Sequence, residues 1–66
     1  MKVTQWFDSN EKPIHKGVYQ TFGEQPVVYQ HWNGKYWGLL FNTVEGAVDF
    51  KNQRSRFQSV KWRGVA

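Results

Sequence analysis

Apolar positions alternate with polar ones in short runs, and clusters of Gly, Pro, Asn and Ser interrupt those runs every few residues. That pattern belongs to short strands rather than long helices. The clearest run covers residues 27–41 (VVYQHWNGKYWGLLF), two aromatic-rich arms around Asn33-Gly34. Asn-Gly adopts the positive φ angles of a two-residue type I′ turn, whose twist matches that of paired strands, so a β-hairpin is expected. Such a turn sets Trp32 opposite Lys35, His31 opposite Tyr36, Gln30 opposite Trp37, Tyr29 opposite Gly38 and Val28 opposite Leu39. One side then carries Val28, Gln30, Trp32, Trp37, Leu39 and Phe41 and is assigned to the core. The other carries Val27, Tyr29, His31, Tyr36 and Leu40, with Gly38 leaving a shelf for the Tyr29 ring.

Before the hairpin, a short strand over residues 3–7 is expected, anchored by Trp6, then a polar loop over 8–12 ending at Pro13. Pro13 holds Lys12 extended, and Gly17 turns the chain into the next strand. Residues 18–22 (VYQTF) put Val18, Gln20 and Phe22 on one side and Tyr19 and Thr21 on the other. They are expected to pair antiparallel with 27–32 across the Gly23-Glu24-Gln25-Pro26 loop. After Phe41 the period changes. Asn42 or Thr43 can cap a helix, Glu45 stands three residues beyond Asn42 as in a capping box, and Val44, Ala47, Val48 and Lys51 share a face. The spacing predicts a helix over about 43–52, weakened by about 1 kcal/mol at Gly46 relative to Ala. A basic loop over 52–56 leads to a last strand, 57–63, with Gln58, Val60 and Trp62 on one face and Phe57, Ser59, Lys61 and Arg63 on the other. Gly64 ends it. No repeat or linker divides the chain, so residues 1–66 form one α+β domain. Its core is a small antiparallel sheet of three to five strands with one short helix, laid on a face or plugging the end of a curled, barrel-like sheet.

Composition says how such a chain is stabilised. At 66 residues only about 60% of the unfolded surface can be buried. The absence of Cys removes disulfides, thiol nucleophiles and Cys-based zinc sites. Four Trp, three Tyr and five Phe can compensate, since each ring removes roughly 150–250 Å² from water. Trp6, Trp32, Trp37 and Trp62 are therefore read as core. A Trp left partly exposed beside Arg63 or Lys35 would instead resemble a protein-interface hot spot.

Nine Lys and Arg against five Asp and Glu give a net charge of +4, which favours acidic proteins or polyanions as partners. No run of 18 apolar residues crosses a membrane, and MKVTQWFDSN lacks the apolar centre of a secretory signal, so a soluble, cytoplasmic protein is expected. His15 and His31 are the only imidazoles, and Asp8, Glu11, Glu24, Glu45 and Asp49 are scattered. No nucleophile stands beside a base and no glycine-rich loop opens a helix, so neither catalysis, a cofactor nor a metal is expected. The candidate binding residues are Tyr29, His31 and Tyr36 on the outer hairpin side, with Lys35, Lys51, Arg54, Arg56, Lys61 and Arg63 supplying charge. The favoured reading is a protein-binding module that uses an aromatic patch with a cationic rim, or that self-associates through an edge strand. The alternative is single-stranded nucleic acid, with rings stacking on bases and cations tracking phosphates. Against both stands the plainer reading that edge tyrosines pack and basic loops are simply solvated.

Trp6, the Pro13-x-x-x-Gly17-x-Tyr19 spacing, Tyr29-x-x-Trp32-Asn33-Gly34-x-x-Trp37 and the ending Trp62-Arg63-Gly64-Val65-Ala66 occur in that order. The whole frame resembles a group of small phage and prophage-encoded proteins. That resemblance implies an accessory protein of a mobile element with no assigned biochemical role, in the host cytoplasm, and by analogy it favours a binding module that engages or inhibits a host protein. It carries over no functional residue. His31, where an aromatic is more usual, and the basic residues from Lys51 to Arg56 depart from the frame.

Overall fold

A computed structural model describes residues 4–65, so Val3 of the expected first strand lies outside the described residues. The elements are β1 (Gly17–Thr21), β2 (Val28–Trp32), α1 (Val44–Asp49) and β3 (Trp62–Gly64). They form an open antiparallel sheet in the order β2-β1-β3, with α1 packed on β2 and β1. There is no closed barrel for the helix to plug.

The first expected pairing forms, with Gly17 opposite Trp32 and Thr21 opposite Val28. It stops one residue early on both strands at the loop end, and at the other end it begins one residue sooner, at Gly17. Phe22 turns out of the strand at φ 73° and gives its N–H to the Lys61 carbonyl at 3.1 Å, while Val27 is left exposed. On the other side of β1, Gln20 stands opposite Arg63 and Thr21 opposite Trp62. Residues 4–7 run beside β3: the Thr4 N–H donates to Gly64 (3.0 Å), and Phe7 and Trp62 exchange backbone bonds of 2.8 and 3.1 Å. Residues 37–41 cover the outer edge of β2 in the same manner. β2 and β3 are therefore each flanked on their outer side by these segments.

The hairpin exists in a different register. Among the described non-glycine residues only Phe22 has a positive φ, so Asn33 does not take the left-handed conformation that a type I′ turn demands. Its Oδ1 instead accepts the N–H groups of Lys35 and Tyr36, both at 2.9 Å, an Asx turn closed by an Asn33 N–H to Tyr36 bond of 3.4 Å. The loop thus spans four residues, and Trp32 pairs with Trp37 rather than with Lys35. The slip is two residues, so both rings stay on the expected core side. The pairing then passes from Gly38 N–H to His31 O (2.8 Å) to a Tyr29–Phe41 pair. Leu39 and Leu40 together oppose the single Gln30, which is a β-bulge. This extra residue reverses the alternation, and Phe41 joins the side of Tyr29 rather than that of Trp37. Gly38 is no shelf for Tyr29: a Cβ there would lie 3.3 Å from the Phe50 carbonyl and 3.5 Å from Lys51 Cα. The missing side chain lets the chain after α1 close over this arm.

The helix begins after Thr43, whose Oγ1 accepts the Gly46 N–H at 3.0 Å, and stops at Asp49 because Phe50 leaves helical angles, at φ −115° and ψ 30°. No Asn42–Glu45 box forms. Gly46 meets the Phe41 ring, which stacks on Phe50 with centroids 5.0 Å apart. The expected 57–63 strand shrinks to β3, although its burial still alternates: Val60 and Trp62 are buried, and Phe57, Ser59 and Lys61 are exposed. Residues 57–61 lack a strand partner because a side chain substitutes for one. The Gln58 amide accepts the Trp37 N–H at 2.8 Å and donates to the Trp37 carbonyl at 2.9 Å.

The core is a chain of rings. Phe7 stacks on Trp62 (4.5 Å), Tyr19 meets Trp62 edge-on (5.1 Å) and Trp37 edge-on (6.0 Å), and Trp37 leans on Trp32 (5.1 Å). Thr21 and Gln30 are fully buried beside it. The Gln30 amide bonds the Thr21 hydroxyl (2.8 Å), the Gly38 carbonyl (2.9 Å) and the Phe57 carbonyl (3.3 Å).

Candidate binding surfaces

Trp6 is the one tryptophan that does not belong to the core cluster. Consecutive residues of an extended arm face opposite ways, and Phe7 is the one that stacks inward on Trp62. Trp6, expected to anchor the arm, therefore lies on the opposite side from the core cluster, where it is half-buried. Along β3 the same alternation turns Trp62 in and Arg63 out, which brings the Arg63 guanidinium 4.6 Å from the Trp6 ring centroid. Lys61 brings its ammonium to 5.4 Å from the same ring. Arg63 is also held from behind: its Nε donates to Gln20 Oε1 at 2.8 Å, and its fork lies 4.0 Å from Glu24. Cation–π contacts contribute about 0.5–1 kcal/mol each at exposed sites and more when desolvated, so the half-buried Trp6 and Arg63 fix one another's orientation.

Next to this cluster the Phe22 and Phe57 rings meet edge to face at 5.5 Å, yet they are 41% and 46% exposed. Lys61 connects the two parts, because its carbonyl accepts the Phe22 N–H and its side chain lies over Gly23. Phe57, Phe22, Lys61, Trp6 and Arg63 thus form one aromatic and cationic surface. Sequence reasoning selected Lys61 and Arg63 but assigned Trp6 to the core and passed over both phenylalanines. The readable signal was the Trp6-Phe7 pair, since two adjacent aromatics in an extended segment cannot both face inward.

The outer hairpin side contributes to a second place. His31, Lys35, Tyr36 and Lys51 line a basin of about 470 Å³ together with Lys16, Asn33 and Asn52. The Tyr36 hydroxyl donates to the Asn52 carbonyl at 2.9 Å, and Arg54 stands 5.9 Å over the Tyr36 ring. Burial, and then the charge of Lys51, hold the His31 imidazole below its ordinary pKa. Its Nδ1 is buried without a hydrogen-bond partner. Tyr29 is not in the basin; it is half-buried and paired with Phe41. Arg56 is exposed and also lies outside it. The nine residues singled out in the sequence therefore divide between two surfaces, with Tyr29 and Arg56 on neither.

A third cavity, of about 300 Å³, is apolar and includes Phe7, Tyr19 and Trp62 in its lining, with the 93% exposed Ile14 at its rim. The Trp62 indole N–H ties its wall to the Glu11 carbonyl at 2.7 Å. Among the described residues no three His, Asp or Glu side chains converge as a metal site requires, and no helix is long and apolar enough to cross a membrane. Compared with known proteins, the chain matches no family model, no curated protein and no solved structure.

Proposed function

We propose that the chain is a non-catalytic binding protein that docks an acidic protein through the surface made by Phe57, Phe22, Lys61, Trp6 and Arg63. The observation that carries this reading is the half-buried Trp6, outside the core cluster and held between Lys61 and Arg63, with an exposed Phe pair beside it. Trp and Arg are the residue types that dominate interface energetics, and a ring already flanked by fixed side chains loses little freedom on binding. The net charge of +4 steers an acidic partner toward this surface. The resemblance to small phage and prophage proteins supports a host cytoplasmic protein as that partner, by analogy of sequence pattern alone.

The test is capture from nuclease-treated bacterial extract on the immobilised chain. A specific band retained by the wild type and lost with Trp6→Ala, in a variant whose circular dichroism and cooperative melting show that it remains folded, is the expected result. Because hot-spot truncations cost about 2 kcal/mol or more, the loss should be roughly thirtyfold in affinity. A band that survives Trp6→Ala and Phe57→Ala together contradicts the reading.

A further inference from the structure

We propose that the basin between Lys16, Lys35 and Lys51 is a separate binding site for phosphate-bearing ligands, the class that includes free nucleotides and the backbone of single-stranded nucleic acid. This goes beyond the protein-docking surface, which involves none of these residues. The three lysines come from three segments: the approach to β1, the turn after β2 and the stretch after α1. No carboxylate lines the basin, and the one ion pair among the described residues, Arg63 with Glu24, lies elsewhere. Cations gathered without counter-charge repel one another, and a phosphate group relieves that repulsion while receiving charge-assisted hydrogen bonds.

The surroundings fit the same ligand. Asn33 spends its Oδ1 on two backbone N–H groups, which leaves its NH₂ as a donor toward the basin. Lys16 is seated against the turn: a Cβ at Gly34, whose φ is 95°, would lie 3.3 Å from Lys16 Cε. A volume of about 470 Å³ lies within the range of small-molecule sites and exceeds what a lone phosphate fills. The Tyr36 ring supplies a flat wall for the remainder of a nucleotide.

The experiment follows backbone amide shifts of the full chain at low salt, titrated separately with inorganic phosphate, adenosine monophosphate and a ten-nucleotide single-stranded DNA. Saturable shifts concentrated at residues 16, 31, 33–36 and 51–52 are expected with at least one probe. The combined Lys16→Gln, Lys35→Gln, Lys51→Gln variant should bind roughly tenfold or more weakly, and Arg56→Gln, at an exposed cation on neither surface, should stay within about twofold of wild type. Saturation by the monophosphate as tight as by the DNA identifies a nucleotide site. Saturation by the DNA alone, with a salt slope that flattens by about 2 in the triple variant at about 0.7 per phosphate, identifies a strand-binding site. Absence of saturable shifts at the basin with all three probes overturns the proposal, as does an Arg56→Gln loss equal to that of the triple variant. These lysines are exposed, so the triple variant is expected to melt like the wild type. Its outcome is independent of Trp6, so failure here leaves the protein-docking reading standing, and the reverse also holds.

Discussion

Replacing Gln30 with Leu tests whether the buried amide holds the bulged hairpin to the rest of the core. Leu fills similar space, so the cavity term is small, and what changes is hydrogen bonding. The substitution removes the acceptor of the buried Thr21 hydroxyl and the donor to the buried Gly38 carbonyl. The third bond, to Phe57, reaches a residue near solvent, where water can replace it. Two buried groups left unsatisfied cost about 1–3 kcal/mol each. With partial relaxation, a loss of about 2–4 kcal/mol follows. At about 4–8 °C per kcal/mol for a domain of this size, Tm should fall by roughly 10–25 °C, read by far-ultraviolet circular dichroism and matched by urea denaturation. Adding Thr21→Val removes one orphaned group, so the double variant should be more stable than Gln30→Leu alone. A Gln30→Leu variant within about 0.5 kcal/mol of wild type would refute the argument, because it would mean that these bonds are not made or that water replaces them freely.

Gly46→Ala should destabilise the protein although Ala is the better helix former. The added Cβ would lie 2.9 Å from the Phe41 ring, which is itself stacked on Phe50, and overpacking of about 1–3 kcal/mol exceeds the propensity gain of about 1 kcal/mol. A higher urea midpoint than wild type would show that Phe41 moves aside at no cost. For His31, burial first and Lys51 second disfavour the charged form in the fold, so the unfolded chain binds the proton more readily. This contribution to stability is fully present above about pH 6.5, the ordinary value, and is lost as the pH falls below it, levelling off once the folded imidazole also protonates. His31→Gln should remove that acid-side decline in denaturation midpoints. An identical pH profile in the variant would contradict it.

The legible part of the fold is the part dictated by alternation. The β1–β2 pair, the helix after Phe41 and the core side of the hairpin all follow from which neighbours are apolar. The register was not legible because Asn33 acts through its side chain: Oδ1 closes an Asx turn, whereas the Asn-Gly rule concerns backbone angles alone. The error was two residues, an even number, so Trp32 and Trp37 kept their side, and only beyond the bulge at Leu39 and Leu40 was a ring, Phe41, assigned to the wrong one. The segment before β3 shows the converse. Its alternation was read correctly, but the backbone bonds that would make it a strand are replaced by the Gln58 amide on Trp37. The docking surface was half legible for a related reason. A small chain needs its rings in the core, and that expectation hid Trp6. Only the stacking of Phe7 on Trp62 determines which of the two adjacent aromatics joins the core. Lys16 was invisible as a partner of Lys35 and Lys51 because convergence of distant segments is a property of the tertiary fold.

The most direct test of the proposed docking surface is photocrosslinking from two positions, one on each of the two surfaces. A benzophenone side chain placed at position 57, beside Phe22 and Lys61, is compared with one at position 35, in the lysine basin. In nuclease-treated extract, position 57 should give a discrete crosslinked protein band that disappears on adding Trp6→Ala, and position 35 should give none. The same band from both positions, or from position 35 alone, would contradict the assignment of the protein-binding surface to Trp6, Lys61 and Arg63.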